Sequence, residues 1–180
     1  MIWNDTFPGT ATGIVNGVLI KARVLPTLDM VVSTGTLDLG NVTSAAYSTG
    51  TLSIELGTNA VNGASVTARS SSGGLTNTTD NSVQLNSLNT DGVVDSYRFA
   101  SNLKAASDST VTGFTSAATL SADVSDNTTN NTVYTSNKPQ ALSTGTTNDD
   151  FEFSVSVKPD AQSPAGNYTD VVVLTVTGNF

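Results

Sequence analysis

Side chains that commonly carry catalysis are scarce in this sequence. The chain has no histidine to act as a general base or zinc ligand, and no cysteine to act as a nucleophile, thiolate ligand or disulfide partner. Glutamate occurs only at Glu55 and Glu152. The spacing of the carboxylates does not place any two of them as a general acid and a general base. We therefore expect that the protein is not an enzyme and that it uses no cofactor.

The aspartates were considered as calcium ligands, because calcium prefers several carboxylate or carbonyl oxygens that converge from loops. They fall in three loose pairs, Asp91 with Asp95, Asp123 with Asp126, and Asp149 with Asp150. None of the pairs has EF-hand or tandem-repeat spacing. Solvated loop carboxylates are the favoured interpretation, and we predict no metal site. If the protein does hold an ion, Asp149 and Asp150 are the first candidates.

Uncharged polar residues dominate the composition. Charged residues make up 12% of the chain, whereas there are 29 threonines, 22 serines and 17 asparagines. The branched Cβ of threonine suits a pleated, half-exposed surface, and asparagine, serine and glycine supply turns. The composition therefore predicts an all-β protein.

The formal net charge of −8 bears on possible partners. Nucleic acids and anionic lipids attract basic patches, and the seven lysines and arginines are too few and too scattered to form one. We expect neither as a partner. No stretch reaches the roughly 18 apolar residues that a membrane span requires.

The first residues, MIWNDTFPG, have no basic segment followed by an apolar one, so a signal peptide is either absent or already removed. Low charge combined with abundant threonine, serine, asparagine and glycine is typical of secreted surface proteins of microbes. We expect an extracellular protein at the cell surface.

The first predicted strand lies in residues 13–25. One of its faces carries Val18, Ile20, Ala22 and Val24, and the other carries Leu19, Lys21, Arg23 and Leu25. Such alternation predicts a strand with one buried face. Pro26 lacks a backbone donor, so we expect a bend there and a second strand segment at Leu28, Met30 and Val32.

Further alternating runs follow along the chain. Residues 51–56 and 64–70 flank a turn at Asn62 and Gly63 and are predicted to form a hairpin. Residues 94–101 and 117–125 also alternate, and in residues 151–158 the phenylalanines and valines all fall on one face. The terminal strand, residues 168–178, is predicted to pair with residues 14–25. Two polar segments, residues 71–92 and 126–150, are predicted to be long loops. In the first, only residues 83–88 could form a short strand, and in the second, residues 126–139 form either a polar loop or a surface hairpin around Val133 and Tyr134.

Seven to nine strands with frequent turn signals predict a two-sheet antiparallel β-sandwich, Ig-like or jelly-roll-like, with long polar loops. We expect a single sandwich domain over residues 13–180, preceded by an N-terminal arm over residues 1–12. The arm carries Ile2, Trp3 and Phe7, which are apolar residues near a chain end. They are expected to pack into a groove, either on their own domain or on that of a neighbour.

Three segments resemble secreted bacterial sandwich domains that include spore-coat-U-like and pilin-like proteins. They are VLPTLDMVVSTGTLDLG, GTNAVNGASVTA and SPAGNYTDVVVLTVTGNF, and together they cover about half the chain. The ending P-A-G-x-Y-x-D is typical of the last strand in that group. It is matched here by Pro164, Ala165, Gly166, Tyr168 and Asp170.

A second resemblance is to matrix fibre proteins of the TasA and camelysin type. It rests on Trp3, Asn4 and Asp5 and on the G-T-L-D-L segment at residues 35–39. This resemblance implies subunits that polymerise by donor-strand complementation, in which an N-terminal strand completes the sheet of the next subunit. Strand addition also has an independent physical basis, since it satisfies a row of backbone groups while alternate side chains fill pockets.

The sequence therefore predicts a structural subunit of an extracellular filament, either a pilus or a biofilm-matrix fibre. The protein would be its own partner in a head-to-tail homopolymer. The expected subunit interface comprises Ile2, Trp3 and Phe7 in the arm, and Val18, Ile20, Ala22 and Val24 if the longer strand is the donor. The alternative is a monomeric cell-surface adhesin or carbohydrate-binding module that uses the polar loops, where Tyr134 is the one aromatic candidate for stacking on a sugar.

Overall fold

The computed structural model describes residues 19–87, 95–103, 122–124, 126–142 and 151–180. Over these ranges the chain forms strands and no helix, which confirms the predicted all-β class for the described residues. The strands are β1 (Leu28–Val32), β2 (Ser48–Thr58), β3 (Ala64–Ser70), β4 (Leu75–Asn77), β5 (Gln84–Leu85), β6 (Ser96–Leu103), β7 (Ala122–Asp123), β8 (Asn131–Thr135), β9 (Phe151–Lys158), β10 (Tyr168–Thr169) and β11 (Val172–Gly178).

The strands form three antiparallel sheets. The largest has five strands in the order β1-β2-β9-β6-β7, and the other two have the orders β11-β3-β8 and β10-β4-β5. Strand β9 lies at the centre of the five-stranded sheet, where its strict alternation buries every second residue. Leu52, Ile54 and Leu56 of β2 and Tyr97 and Phe99 of β6 likewise face the core.

One hydrophobic core joins the five-stranded sheet to the β11-β3-β8 sheet. Its fully buried side chains come from both sheets and from β5, and they are Ile54, Leu56, Ala64, Val66, Ala68, Leu85, Tyr97, Phe99, Val124, Val133, Tyr134, Phe151, Phe153, Val155 and Val157. Ring contacts run through it, with 5.5 Å between the centroids of Tyr97 and Phe99 and 5.4 Å between those of Phe99 and Phe153. Because one core serves both sheets, neither sheet has a separate hydrophobic centre.

The predicted hairpin of residues 51–56 and 64–70 is wrong. Strand β2 pairs with β1 and β9, whereas β3 pairs with β11 and β8. The turn at Asn62 and Gly63 is present, but it carries the chain from one sheet to the other. Gly63 has a φ of +71°, and a Cβ there would collide with the backbone carbonyl of Ser136. A tight turn signal thus marks a change of direction without specifying which sheet comes next.

Residues 126–139 were predicted to be exposed, yet they contain β8, in which Val133 and Tyr134 are buried. The register between β3 and β8 shifts so that Val66 pairs with Tyr134 and Thr67 with Thr132, which leaves Val133 as an extra residue. This β-bulge allows two consecutive side chains to reach the core. A search for strict alternation misses such a strand.

The predicted partner of the terminal strand is also wrong. Strand β11 pairs along its whole length with β3, from Val172 opposite Ser70 to Gly178 opposite Ala64. Residues 19–27 are exposed and lie outside the strands, so the strand predicted over residues 13–25 is not formed in its described part. The second segment after Pro26 is present as β1. The arm of residues 1–12, like residues 13–18, lies outside the described residues.

Candidate functional site

A large open groove is the main concave feature of the described structure. It has a volume of about 1170 Å³ and is lined by Met30 and Val32 of β1 and by Val172 and Leu174 of β11. Strand β9 contributes Phe153, Val155 and Val157 to the same lining. These are residues of the hydrophobic core or packed against it. Phe153, Val155 and Val157 have almost no exposed surface, so the accessible part of the lining is formed by the partly buried apolar side chains of the two edge strands β1 and β11.

Strand β11 shows how incomplete the burial is on this side. Its inward residues Val172, Leu174 and Val176 are only partly buried, although they pack against the core. Val66 and Ala68, which lie opposite Val176 and Leu174 on β3, have no exposed surface. The difference arises because β3 has a neighbouring strand on each side, whereas β11 is the end of its sheet.

The outer edge of β11 presents unpaired backbone groups. Ser71 donates its N–H to the Val171 carbonyl, and Asn179 donates to the Gly63 carbonyl, so the odd-numbered residues of this strand face β3. In an antiparallel ladder the alternate residues then direct their N–H and C=O groups away from that neighbour. These residues are Val172, Leu174 and Val176, and no strand in the described residues pairs with them.

Strand β1 has the same arrangement at the other wall of the groove. Ser33 donates to the Ser53 carbonyl and Asn59 donates to the Thr27 carbonyl, so the odd-numbered residues of this strand face β2. The backbone groups of Leu28, Met30 and Val32 are consequently directed to the outer edge. Two edge strands, each with a row of backbone donors and acceptors that no described strand pairs, thus border one apolar groove.

The connection between β1 and β2 closes one end of the groove. Leu37 and Leu39 lie directly over Gly50, where an added Cβ would come within 2.7 Å of Leu37 and 2.9 Å of Leu39. The hydroxyl of Ser48 donates to the Leu39 carbonyl. Glycine at position 50 therefore lets this apolar segment lie on the sheet and form part of the groove lining.

The charged groups that line the groove are all acidic. They are Asp38, Asp160 and Asp170, and none of the lysines and arginines in the described ranges contributes to the lining. Asp170 accepts a hydrogen bond of 2.9 Å from the Tyr97 hydroxyl. Burial of Tyr97, together with the negative charge of Asp170, raises the pKa of this phenol well above its usual range. The groove lining thus combines apolar side chains, here called the floor, with the three acidic side chains Asp38, Asp160 and Asp170, here called the acidic rim.

Residues 19–25, here called the apolar arm, protrude from the domain. Leu19, Ile20, Val24 and Leu25 are 78, 85, 81 and 63% exposed, respectively. The side chain of Asn59 holds the base of the arm, since it donates to the Leu25 carbonyl at 2.7 Å and accepts from the Thr27 N–H at 2.8 Å. Large exposed apolar side chains next to each other indicate an interaction surface.

Three of the predicted interface residues fall in the apolar arm. Ile20, Ala22 and Val24 are exposed there, whereas Val18 lies outside the described residues, as do Ile2, Trp3 and Phe7. An acceptor groove was predicted from the sequence but could not be placed, because its lining comes from strands and connections far apart in the chain. The alternating leucines of residues 35–39 were the one local signal of an additional apolar surface.

The other sequence candidates have structural explanations or lie outside the described residues. Asp126 accepts hydrogen bonds from Thr128 and Thr129 and caps its own turn. The buried Asp95 accepts from the Asp160 N–H. Within the described ranges no three acidic side chains converge as a metal site, and Asp149 and Asp150 lie outside them. No helix in these ranges has the length and apolar character to cross a membrane.

Tyr134, the aromatic candidate for sugar binding, is completely buried. Its ring stacks on Phe151 with 4.7 Å between centroids, and its hydroxyl accepts from the Gln140 side chain at 2.6 Å. The ring is therefore part of the core and offers no face to a ligand. This finding corrects the sequence-based assignment of Tyr134 to a binding loop.

No known protein family matches the chain, and neither the curated proteins nor the solved structures include a significant match.

Proposed function

We propose that the protein is a structural subunit of an extracellular filament, either a pilus or a biofilm-matrix fibre, that polymerises by donor-strand complementation through its N-terminal segment. In this proposal the sheets form an incomplete two-sheet β-sandwich, Ig-like or jelly-roll-like. A strand from a neighbouring copy completes it. The resemblances to pilin-like and TasA-type proteins described above point in the same direction.

The observation that carries the proposal is the presence of two unpartnered apolar surfaces in one domain. The apolar arm exposes Ile20 and Val24 almost fully, while the groove leaves Val172 and Leu174 partly exposed on a strand edge that has no partner among the described residues. A long apolar edge with free backbone groups invites pairing with another chain. Because the arm and the groove are different surfaces, the contact between copies is heterologous, and such a contact builds an open filament when the rotation from copy to copy does not close a ring.

The expected energies are compatible with assembly. Complete burial of a side chain such as Ile20 or Val24 contributes about 1.5–3 kcal/mol, and each net backbone hydrogen bond contributes about 0.5–1.5 kcal/mol. Association costs about 4–15 kcal/mol in lost translational and rotational freedom. A donor strand offsets this cost only if it desolvates the groove wall together with its own apolar face. We therefore expect assembly to require the whole apolar arm, residues 19–25.

Negative-stain electron microscopy at rising protein concentration tests the proposal. The full chain is compared with a chain that lacks residues 1–12 and with one that lacks residues 1–25. Filaments are expected from the full chain. None are expected from the chain without residues 1–25, because this deletion removes the apolar arm, residues 19–25. The 1–12 deletion shows whether Ile2, Trp3 and Phe7 are also required.

Discrete monomers from the full chain at every concentration would contradict the filament proposal. The alternative of a monomeric adhesin would then be tested by screening ligands on the polar loops. With Tyr134 buried, that alternative has no exposed aromatic residue of its own in the described part of those loops.

A further inference from the structure

The charges of the apolar arm complement those of the groove. Within residues 19–27 the charged side chains are Lys21 and Arg23, and both are basic. The groove rim is formed by Asp38, Asp160 and Asp170. We infer that the groove accepts residues 19–25 of a second copy of this chain along the outer edge of β11, and that opposite charges at the rim select this occupant. The inference rests on the proposed function and specifies its acceptor site.

Alternation along the arm matches the two zones of the groove. In an extended strand Ile20, Ala22 and Val24 point to one side, and Lys21 and Arg23 point to the other. When the apolar side faces the floor, the basic side chains face outward, toward the partly exposed acidic rim. The reverse orientation would bury two cations in an apolar groove, which is strongly unfavourable. The charges thus fix which face of the arm enters.

The lengths also correspond. Strand β11 has seven residues, Val172–Gly178, and the arm comprises residues 19–25. At about 3.3 Å per residue, each spans about 23 Å when extended. A donor strand of this length matches the whole free edge of β11, on which Val172, Leu174 and Val176 supply the unpaired backbone groups.

A second copy is the occupant because the arm is held away from its own groove. Asn59 binds the backbone on both sides of Pro26, at the Leu25 carbonyl and the Thr27 N–H. This fixes the direction in which the arm leaves β1, and residues 19–25 are exposed in that position. The arm of another copy approaches with no such constraint.

Paired charge reversals test the inference. The first variant carries Lys21→Glu and Arg23→Glu, which give an acidic arm and leave the groove acidic. The second carries Asp38→Lys and Asp160→Lys, which give a basic rim and leave the arm basic. Asp170 is not changed, because it accepts the Tyr97 hydrogen bond. Assembly is followed by light scattering, with electron microscopy of the products.

Each variant alone is expected to elongate at least about tenfold more slowly than the unmodified chain, which is the lower end of electrostatic effects on association. An equimolar mixture is expected to recover most of the rate, since every arm then meets a rim of opposite charge. Recovery in the mixture also shows that both variants are folded. Lys138→Glu is the control for net charge. Lys138 follows β8, which is the edge of the β11-β3-β8 sheet opposite to β11, so this variant should elongate like the unmodified chain.

Normal elongation of each variant alone would overturn the charge-based selection and leave the filament proposal intact. So would failure of the mixture when circular dichroism shows both variants folded. If the unmodified chain forms no filaments, the filament proposal fails, and the arm-to-groove contact is then tested directly by disulfide trapping.

Disulfide trapping is clean in this chain because it has no cysteine. One population carries Ile20→Cys, the other carries Leu174→Cys, and mild oxidation of the mixture is expected to yield the mixed dimer. Thr132→Cys, which is exposed on β8, replaces the groove cysteine in the control mixture and should yield little dimer. Equal yields from the two mixtures would overturn the arm-to-groove contact, whatever the outcome for filaments.

Discussion

The two sides on which the sheets approach each other differ in how completely they exclude solvent. On one, called the closed side, β6 contacts β8, and the Ser101 hydroxyl donates to the Val133 carbonyl in a buried setting. The Tyr134 and Phe151 rings stack there without exposed surface. On the other, called the open side, β1 contacts β11, and the groove leaves Leu174 and its neighbours partly exposed.

This comparison shows that the same sequence pattern has different consequences at the centre and at the edge of a sheet. Strands β9 and β11 both alternate apolar and polar residues, yet the inward residues of β9 are buried and those of β11 are half-buried. The side chains are equally apolar, so the difference comes from the missing neighbour of β11. An edge with this pattern is completed only when another strand is added.

The largest expected effect is a loss of stability on the closed side. Phe151→Ala should lower the free energy of unfolding by about 3–5 kcal/mol, since it removes a fully buried ring and leaves a cavity. Leu174→Ala on the open side should cost about half of the 2–5 kcal/mol typical of a buried leucine. Urea denaturation at concentrations too low for assembly measures both. Equal losses would show that the open side is as well packed as the closed side.

A finer comparison uses two valines that face each other in one ladder. Val66 on β3 has no exposed surface, and Val176 opposite it on β11 is partly buried. With about 0.8 kcal/mol per buried methylene equivalent, Val66→Ala should cost about 2 kcal/mol and Val176→Ala about 1 kcal/mol in the monomer. In filaments the two costs should converge, because the donor strand covers Val176. Denaturation of monomers and of filaments tests this, and a persistent difference would place the donor elsewhere.

The sequence predicts individual strands better than it predicts their neighbours. Residues 151–158 were recognised because strict alternation needs no knowledge of the rest of the chain. The partner of β11 was missed, because residues 14–25 are more apolar than residues 64–70 and local periodicity does not identify which strands pair. The β8 strand was missed because a bulge places Val133 and Tyr134 on the same side. For the candidate site, the apolar face of residues 19–25 was predicted from local alternation. The position of the groove could not be predicted in this way, because it depends on how distant strands pack.

An effect of similar size is expected at the hydrogen bond between Tyr97 and Asp170 in the groove lining. Tyr97→Phe removes a hydrogen bond to a carboxylate, which should lower the free energy of unfolding by about 1.5–3 kcal/mol at neutral pH. Because burial raises the pKa of Tyr97 above the ordinary value of 10.0, the folded state holds this proton more tightly than the unfolded state. The stabilisation is thus complete below pH 10 and declines as the pH rises further.

Denaturation from pH 7 to pH 11 tests whether the stabilisation by Tyr97 declines above pH 10. The unmodified chain should lose stability above pH 10 more steeply than Tyr97→Phe, which has no phenol to titrate there. Tyr47→Phe, at a partly exposed tyrosine outside the core, is the matched control and should leave the steep decline in place. Parallel curves for the unmodified chain and Tyr97→Phe would show that the Tyr97 phenol does not govern the alkaline limit.

The smallest expected effect concerns the turn that leads into β8 on the closed side. Hydrogen bonds from the side chain of Thr129 and the backbone of Thr128 hold the pKa of Asp126 well below its usual range. A carboxylate with a depressed folded-state pKa contributes stability above its unfolded value, 3.8, and loses it as the pH falls through the folded value. Asp126→Asn keeps an acceptor for the turn but cannot titrate, so it should flatten the acid limb of the stability curve. Asp126→Ala should lower stability slightly at neutral pH as well, since it removes the acceptor.

Because the groove is distant from this turn in the sheet order, neither variant should alter filament elongation at pH 7. An altered elongation rate would mean that the closed side takes part in assembly.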